Sequence, residues 1–584
     1  MPVVSLSYER LLRLVSGPGD ITRGVISERL PHLGLDIESD DGDTVRIEYS
    51  PNRPDYATDV GVSLALQGML GVKRGLVPFD VEKSPVPSCE VRVSQAVSGV
   101  RPVLTGVVAR GGALDDHLLR QLVTLQEDLH FGLGRNRRKV AIGLHDLSKI
   151  EGGFPLVYTA VPADHEFAPL GEQAEMTVAQ IMRHTKAGRA YGSLVADGGA
   201  FPAILDDGGN TVSLPPIINS DMTAVTPDTT DILVDVTGTS RHAAESVLAV
   251  MSVTLHAAGF GLEALSVAGG GNRTPPLEPR AVRVSVDRVN EVLGLDMSPG
   301  DVASCLERCR LQPQPLQGKG PHRYGKIISC TVPAYRQDIM SEVDLIEEAA
   351  LGHGTWRIEP VPLPSGTFGN RSAVSRAMHG IDTAMIGMGY VEALNSSLTS
   401  AHILYEVTNR PVPERDGMIA TVGSKSSEHA ILRDSLLPGL IENLSRNIHE
   451  EYPQRLYETG TIFLRNHGAA PSAPTSAPVL EVTHVAAITA HKDSGFSEAK
   501  SVLRSMLGAA FGADVGTAPA PHHMFADGRC AGVIVEPAAD GPARAVTTGY
   551  IGEIDPAILS SYRIRAPVSG FELSLSDSSL LPEQ

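Results

Sequence analysis

The sequence predicts an α+β protein built from several domains. Its length of 584 residues exceeds what one hydrophobic core usually organises. Three stretches rich in Pro and Gly, at residues 73–90, 268–279 and 357–370, indicate linkers that divide the chain into four blocks. Segments typical of strands and of helices occur together inside these blocks, which predicts a mixed α+β fold.

Composition narrows the class of protein. Hydrophobic residues make up 42% of the chain and charged residues 20%, a balance typical of globular proteins. The net charge of −19 argues against nonspecific clamping of nucleic acid, which requires many Lys and Arg. The five cysteines are odd in number and form no CxxC pair, so we expect no disulfide framework. No apolar run approaches the roughly 20 residues of a membrane span, and nothing suggests export, so we expect a cytoplasmic location.

In the first block, residues 48–71 run from a strand through a Pro-bracketed turn into a helix. Thr58 or Asp59 is the expected N-cap of that helix. The turn positions Arg53 and Asp55, for which structural hydrogen bonding is the simpler interpretation.

The second block places polar residues in apolar strands. Asp235 and Thr237 lie within the predicted strand at residues 231–238, and Asn219 lies at the end of an earlier one. One such residue alone is usually a satisfied core residue. Three of them in one segment indicate a pocket, and both interpretations stay open.

The third block contains an acidic cluster. If residues 339–350 are helical, an apolar stripe of four residues should be buried: Ile339, Val343, Ile346 and Ala350. Asp344, Glu347 and Glu348 then share an arc beside the stripe, where like charges repel. The arc is either a solvated acidic face or a site for a hard cation such as Mg²⁺, which prefers carboxylate oxygens.

The fourth block contains an amphipathic helix with Pro438 suited to its first turn. Its apolar face is either internal core or a surface for a partner, and comprises Leu436, Leu440, Ile441, Leu444 and Ile448. A Pro/Ala/Ser-rich segment at residues 466–478 separates two strand-like segments and indicates a surface loop. The motifs GxxxxGK[ST], HExxH and GxSxG do not occur, so by motif the chain is not expected to handle ATP alone.

Four segments, at residues 51–71, 215–239, 332–354 and 432–463, resemble in sequence and order the landmarks of phenylalanine–tRNA ligase beta subunits of the archaeal and eukaryotic type. The resemblance extends to the closing segment 549–576 and therefore covers nearly the whole chain. One departure is "GHGTW", where an aromatic-rich turn is more usual in the family, which puts local packing at His353 and Trp356 in doubt.

The resemblance implies four domains. They are an N-terminal α+β domain at 1–85, an editing (tRNA-binding) domain at 86–272, a winged-helix-like module with a Mg²⁺ site at 273–358, and a class II synthetase-like pseudo-catalytic domain with an antiparallel sheet at 359–584.

The resemblance also implies two sites. A Mg²⁺ site shared with an alpha subunit falls on four carboxylates, Asp338, Asp344, Glu347 and Glu348. In the editing domain, Asn219, Asp235 and Thr237 are the pocket candidates, with Asp235 or a neighbouring polar group recognising a tyrosyl hydroxyl and Thr237 helping to place water. Lys186 is a candidate contact for the tRNA 3′ end.

The implied function is that of a synthetase subunit. An alpha subunit would attach phenylalanine to tRNA(Phe) with ATP, in an α2β2 heterotetramer, while this chain supplies scaffold and hydrolyses mischarged Tyr-tRNA(Phe). The alternative is a noncatalytic RNA-associated scaffold or regulatory paralogue of that subunit.

Overall fold

The computed structural model of the protein divides into two compact units, Met1–Pro362 and Leu363–Gln584. The residues that the structure describes are 2–16, 21–78, 81–82, 89–172, 174–195, 199–268, 273–274, 277–316, 326–362, 366, 368–413, 417–424, 426–466, 478–536, 547–575 and 580. Most of the predicted loop at 466–478, and parts of the three predicted linkers, lie outside the described residues. The four domain boundaries stay a prediction.

Short strands dominate the first unit. They are β1 (Val3–Ser7), β2 (Asp36–Asp40), β3 (Thr44–Glu48), β4 (Val81–Glu82), β5 (Glu90–Val93), β6 (Val103–Arg110), β7 (Val140–Asp146), β8 (Leu156–Val161), β9 (Glu166–Phe167), β10 (Met176–Thr177), β11 (Phe201–Leu205), β12 (Thr211–Leu214), β13 (Ile218–Asn219), β14 (Ile232–Gly238), β15 (Gly261–Ala268), β16 (Arg273–Thr274), β17 (Arg280–Ser285), β18 (Gln312–Pro315) and β19 (Ile327–Val332).

The helices of this unit follow the same chain order. They are α1 (Tyr8–Val15), α2 (Arg23–Arg29), α3 (Asp59–Met69), α4 (Asp116–Phe131), α5 (Val178–His184), α6 (Lys186–Tyr191), α7 (Arg241–Ala257), α8 (Val286–Leu293), α9 (Pro299–Arg308) and α10 (Glu342–His353). None of the described helices is long and apolar enough to cross a membrane.

The large sheet of this unit positions the candidate pocket. Over the described residues it runs β13-β12-β11-β8-β5-β15-β6-β14-β7, with β4 and β16 attached to β15. β14 pairs antiparallel with both β6 and β7, which explains why it is buried along its whole length. Because side chains alternate across a strand, Asp235 and Thr237 point to the same face of the sheet.

A continuous hydrophobic core joins the first two blocks. It includes Leu6 and Val62 from the first block and Val236 and Leu248 from the second. The predicted cap is confirmed at Thr58, whose side chain accepts a hydrogen bond from Gly61 N. A smaller antiparallel sheet, β17-β19-β18, forms with α8, α9 and α10 the module of the third block.

The second unit is a sheet with helices on both faces. Its helices are α11 (Ala373–Gly387), α12 (Leu437–Arg446), α13 (Phe496–Phe511) and α14 (Pro556–Ser561). Its strands are β20 (Val391–Glu392), β21 (Leu398–Thr399), β22 (Ile431–Leu432), β23 (Gln454–Arg465), β24 (Val479–Ala490), β25 (Asp514–Pro519), β26 (Phe525–Glu536), β27 (Thr547–Ile554) and β28 (Val568–Ser574).

The main sheet of this unit runs β20-β23-β24-β28-β27-β26-β25 over the described residues. It is antiparallel except that β20 is parallel to β23. Along β24, Val485 and Ala487 face the core under α11 and α13, whereas Ala486 and Ile488 face the core under α12. This alternation is the period of two expected of a strand buried on both faces.

The predicted apolar stripe of the acidic helix in the third block is confirmed at Ile339 and Ile346, which are buried, and wrong at Val343 and Ala350, which are not. α10 begins at Glu342, because Asp344 Oδ2 accepts hydrogen bonds from the backbone of Met340 and Ser341 and so caps the helix. Val343 is therefore 62% exposed. The buried face of α10 consists of Leu345, Ile346, Glu348, Ala349 and Gly352.

The apolar face of α12 is internal core. Leu436, Leu440, Ile441 and Leu444 are buried against the sheet of the second unit. Ile448 lies beyond the end of the helix and is 47% exposed. Four of the five predicted face residues thus need no partner chain.

Candidate functional site

A cavity of about 340 Å³ opens in the first unit beside β14. Its walls come from α4, β7, the segment after β12, and β14, and they are mostly apolar. Six polar or charged residues also line it: Gln126, Glu127, Arg137, Ser213, Asn219 and Asp235. Two of the predicted pocket residues, Asn219 and Asp235, are therefore brought together in one cavity.

Asp235 presents a buried carboxylate to this cavity and is only 4% exposed. Its Oδ1 lies 2.7 Å from His145 Nε2, and His145 Nδ1 lies 2.8 Å from Thr223 Oγ1. Because a carboxylate only accepts, His145 Nε2 is the donor in the contact with Asp235. Asp235 Oδ2 accepts no hydrogen bond from the described residues, so one acceptor oxygen is available to a ligand.

Asn219 is held at the cavity wall by two neighbours. Its Oδ1 accepts a hydrogen bond from Ser213 Oγ at 3.0 Å, and its Nδ2 donates to Leu144 O at 3.4 Å. Ser213 and Asn219 are register partners of β12 and β13, so the pairing of these two strands brings the hydroxyl and the amide together.

Thr237 does not line the cavity and is completely buried. Its Oγ1 accepts a hydrogen bond from Arg101 Nε at 3.0 Å, and its backbone oxygen accepts from Arg101 Nη2 at 2.8 Å. Burial lowers the pKa of Arg101 to about 10, which still leaves it charged at neutral pH. Arg101 Nη1 also donates to Arg137 O, so Thr237 indirectly supports the cavity wall.

Arg137 and Glu127 form a charged wall of the cavity. Arg137 Nη1 donates to the backbone oxygens of Pro216 and Ile217, and its Nη2 donates to Glu127 Oε1 at 2.7 Å. The hydrogen bond from His130 and the charge of Arg137 lower the pKa of Glu127 to about 2. This carboxylate is therefore ionised at any physiological pH.

Lys186 is exposed at the first position of α6, and the next residue, Ala187, lines the cavity. The predicted contact with the tRNA 3′ end is therefore at the rim rather than inside the cavity.

The acidic cluster of the third block is organised around an arginine. Arg336 is 2% exposed and makes ion pairs with Asp338 at 2.7 Å and Glu348 at 2.6 Å. Glu347 is exposed, and partial desolvation together with the charges of Glu348, Asp338 and Asp344 raises its pKa. Within the described residues, no group of three or more metal-ligating side chains is assembled.

Trp356, at the departure from the family pattern, packs against the first block. Its ring centroid lies 4.2 Å from that of His32, and the Arg29 guanidinium lies 4.3 Å from the same ring.

The fold has a solved counterpart over part of the chain. An N-terminal fragment of the phenylalanyl-tRNA synthetase beta subunit from Pyrococcus horikoshii superposes with a TM-score of 0.55 and 29% sequence identity, covering 60% of this chain and 99% of that fragment. Among curated proteins, the phenylalanine–tRNA ligase beta subunit of Archaeoglobus fulgidus is 36% identical over 99% of this chain and 98% of its own length. The chain belongs to the phenylalanine–tRNA ligase beta subunit family.

Other similarities agree with this family. The phenylalanine–tRNA ligase beta subunit of Methanocaldococcus jannaschii is 32% identical over 98% of this chain and 100% of its own length. The family model for the tRNA synthetase B5 domain matches residues 282–355, and that for the phenylalanyl tRNA synthetase beta chain CLM domain matches residues 360–575. The predicted resemblance is thereby confirmed, and this phenylalanine–tRNA ligase beta subunit is a mixed α+β multidomain protein.

The residues that the sequence analysis missed include two that line the cavity, Ser213 and Arg137, and two that contact its wall, His145 and Arg101. His145 carries the same signal as Asp235, a polar side chain in an apolar strand, and could have been found by it. Ser213 has that signal more weakly. Arg101 and Arg137 lie in segments without a recognisable pattern, and the structure alone connects them to the cavity.

Proposed function

We propose that the cavity at Asp235 hydrolyses tyrosine wrongly attached to tRNA(Phe), and that an alpha subunit performs the ATP-dependent attachment of phenylalanine. The observation that carries this proposal is one carboxylate oxygen, Asp235 Oδ2, which accepts no hydrogen bond from the described part of the chain and lies in a cavity with mostly apolar walls. Such a cavity suits an aromatic ring that carries one hydroxyl group.

Selection of tyrosine over phenylalanine follows from this arrangement. The two amino acids differ by one hydroxyl, which an apolar synthetic pocket rejects poorly. In the hydrolytic cavity the tyrosyl hydroxyl donates to Asp235 Oδ2. A phenylalanyl ring leaves that buried carboxylate without its donor, which makes its binding less favourable.

Hydrolysis requires a water molecule beside the ester carbonyl. Its oxygen adds to the carbonyl carbon, the bond from that carbon to the ribose oxygen breaks, and the ribose oxygen takes up a proton. The linked Ser213 and Asn219 side chains present polar atoms at the cavity wall and are suited to hold this water. Thr237 contributes through Arg101, which donates hydrogen bonds to both Thr237 oxygens and to Arg137 O in the cavity wall.

ATP binding is assigned to the alpha subunit, because the sequence of this chain contains no GxxxxGK[ST] nucleotide-binding motif. We infer that the alpha subunit binds ATP and phenylalanine, that both subunits contact tRNA(Phe), and that the assembly is an α2β2 heterotetramer. The support is the family membership together with the absence of nucleotide-binding motifs from the sequence.

We infer that the acidic cluster of α10 provides part of a Mg²⁺ site that is shared with the alpha subunit. Asp338 and Glu348 are engaged by Arg336, whereas Asp344 Oδ1 and Glu347 accept no hydrogen bond from the described residues. Asp344 and Glu347 are three residues apart on α10 and lie on one face. They would hold the ion, which would supply a positive charge at the subunit contact, and the alpha subunit would complete its ligands.

The test of the hydrolytic function is the Asp235→Ala variant, assayed in the complex with the alpha subunit. Deacylation of preformed Tyr-tRNA(Phe) should fall by roughly tenfold to a hundredfold, because a buried donor left unpaired costs about 1–3 kcal/mol. Attachment of phenylalanine should continue, since that chemistry is assigned to the alpha subunit.

Asp146→Ala is the matched control. Asp146 is equally buried on the same sheet, where it accepts from Thr229 and Ser148, and it does not line the cavity. If the Asp235→Ala and Asp146→Ala complexes deacylate Tyr-tRNA(Phe) at the same rate, Asp235 has only a structural role in its strand. A native complex that clears no Tyr-tRNA would favour the scaffold alternative.

A further inference from the structure

One surface beside the cavity concentrates positive charge in a chain whose net charge is −19. Residues 131–139, with the sequence FGLGRNRRK, contain four basic side chains: Arg135, Arg137, Arg138 and Lys139. Arg135 and Arg138 are exposed, and neither makes an ion pair with a carboxylate of the described residues. This local charge is therefore available to an anionic ligand.

The surface begins with an exposed aromatic ring. Phe131 is the last residue of α4 and is 73% exposed. It lies four residues beyond Glu127, whose side chain lines the cavity, and residues four apart share a helix face. The ring thus stands at the rim of the cavity, where no described part of the chain covers it.

Arg137 connects this surface to the cavity wall. Its guanidinium is already engaged by Pro216, Ile217 and Glu127, and it lies 4.4 Å from the Tyr191 ring. Arg137 is therefore a wall residue, and its neighbours Arg135 and Arg138 are the groups free to bind a ligand outside the wall.

The backbone of this surface is held in an unusual conformation. Arg135, Asn136 and Arg137 have φ angles of 48°, 53° and 63°, the left-handed region that L residues rarely adopt in succession. The carbonyl oxygens of Arg138 and Lys139 accept hydrogen bonds from Thr239. The guanidinium groups are consequently presented from a fixed turn rather than from a free loop.

We propose that residues 131–139 bind the single-stranded 3′ end of the tRNA whose aminoacyl group enters the cavity. Phe131 stacks on a base, and Arg135 and Arg138 contact phosphates. This inference rests on the proposed hydrolytic function, because it is the ester at the 3′ end that must reach Asp235. Aromatic rings beside basic side chains are the usual means of binding single strands without reading their sequence.

A protein partner with an acidic segment would also be attracted by the arginines. The exposed ring favours RNA, because every base offers a face for stacking, and its place at the cavity rim is where the last nucleotides must lie. The two occupants are separated by the experiment below.

The test uses the complex of this chain with its alpha subunit and preformed Tyr-tRNA(Phe), with enzyme in excess. In the R135E/R138E double variant, the enzyme concentration for half-maximal deacylation should rise at least tenfold. Its logarithmic dependence on salt should become shallower by about 1.4, since each single-strand phosphate contact contributes about 0.7. Attachment of phenylalanine, measured in parallel, reports folding and assembly.

K73E/R74E is the matched control for charge. Lys73 and Arg74 are exposed in the same unit and do not line the cavity, and the double substitution changes the charge by the same amount. This control should leave the deacylation of Tyr-tRNA unchanged. If R135E/R138E does not fold, the milder pair R135Q/R138Q should show the same shift to a smaller extent.

Phe131 is tested separately. Phe131→Ala should raise the half-maximal concentration by about fivefold to a hundredfold, the range expected for loss of one stacked base. Phe131→Tyr should keep the half-maximal concentration of the native complex. Phe131→Leu, which keeps apolar volume without a ring, should raise it as Phe131→Ala does. A photoreactive phenylalanine analogue replacing Phe131 should crosslink to the last nucleotides of the tRNA.

The outcomes separate the two proposals. A native complex that does not deacylate Tyr-tRNA overturns the hydrolytic function and this inference with it. A native complex that is active, with R135E/R138E and K73E/R74E behaving alike, overturns this inference alone. Crosslinks to the alpha subunit or to duplex regions of the tRNA also overturn it.

Discussion

Gly143 makes room for the carboxylate on which the proposed selectivity depends. It is the β7 register partner of Asp235, and a Cβ atom at this position would lie 2.0 Å from Asp235 Oδ1 and 2.5 Å from His145 Nε2. The absence of a side chain therefore allows the carboxylate and the imidazole to share this face of the sheet.

Gly143→Ala should displace the Asp235 carboxylate and reduce deacylation of Tyr-tRNA by tenfold or more, because the two groups cannot both keep their places. Overpacking of this kind also costs about 1–3 kcal/mol of stability. Deacylation and thermal unfolding of the complex would measure the two effects. Gly99→Ala is the control, since an added methyl group there meets nothing within 4 Å. Normal deacylation by Gly143→Ala would contradict the role given to Asp235.

His522 is a residue whose burial makes the second unit sensitive to acid. Its ring lies 4.5 Å from that of Tyr550 and 5.5 Å from that of Phe525. Burial, aided by the charge of Arg410, lowers its pKa from 6.5 to about 4. The folded protein thus keeps this ring neutral at pH values where the unfolded chain protonates it.

The contribution of His522 to stability is complete above pH 6.5 and is lost as the pH falls from 6.5 towards 4. His522→Phe keeps a ring and removes the titration. The pH dependence of the unfolding free energy should then be shallower in this window, by at most about 1.4 kcal/mol per pH unit. Thermal unfolding between pH 4 and 7 would measure it, and identical slopes for both proteins would refute the assignment.

Among the elements, α10 combines a structural cap with a proposed metal ligand. Glu347→Gln removes the exposed carboxylate and leaves the cap at Asp344 intact. We expect Mg²⁺-dependent association with the alpha subunit to weaken while the isolated chain keeps its stability, because the charge of Glu347 is opposed by Glu348 and Asp338.

Asp344→Ala gives the contrast within the same helix, because alanine removes the acceptor oxygen that asparagine would keep. It should lower the stability of the isolated chain by about 0.5–2 kcal/mol, the usual effect of losing a cap. Thermal unfolding of the isolated chain distinguishes the two variants, whereas titration of subunit association with Mg²⁺ should show weaker binding in both, since both lose a proposed ligand. If Glu347→Gln associates with the alpha subunit as tightly as the native chain at every Mg²⁺ concentration, α10 carries only a solvated acidic face.

The element α12 shows how an amphipathic pattern is divided between core and surface. Leu440→Ala should lower the unfolding free energy of the second unit by about 2–5 kcal/mol, because the side chain is fully buried. Ile448→Ala should change it by less than about 0.5 kcal/mol, because this side chain is half exposed. Denaturant unfolding compares them directly, and equal effects would contradict the buried face described above.

At the scale of the whole molecule, the proposed assembly is an α2β2 heterotetramer. This chain contributes 61.8 kDa per copy. Native mass spectrometry of the coexpressed complex should show two copies of each subunit. A mass equal to one copy of each would refute the tetramer, and a chain that purifies without any partner would favour a separate regulatory role.

The sequence by itself determined the features that depend on neighbours along the chain. The strand that carries Asp235, the cap at Thr58 and the order of family landmarks all follow from residues a few positions apart, so their patterns are visible without a structure. The buried face of α10 was predicted only in part because the cap at Asp344 competes with a plausible apolar stripe.

Only the tertiary structure decided which polar groups meet. Asp235 and His145 are 90 residues apart, and the register of β14 against β7 brings them onto one face of the sheet. The same packing gives the Thr237 hydroxyl to Arg101 and engages Asp338 and Glu348 with Arg336. Such contacts depend on how strands and helices pack across the whole unit. No local sequence pattern predicts them, because burial and strand register determine which side chains meet, whatever their separation along the chain.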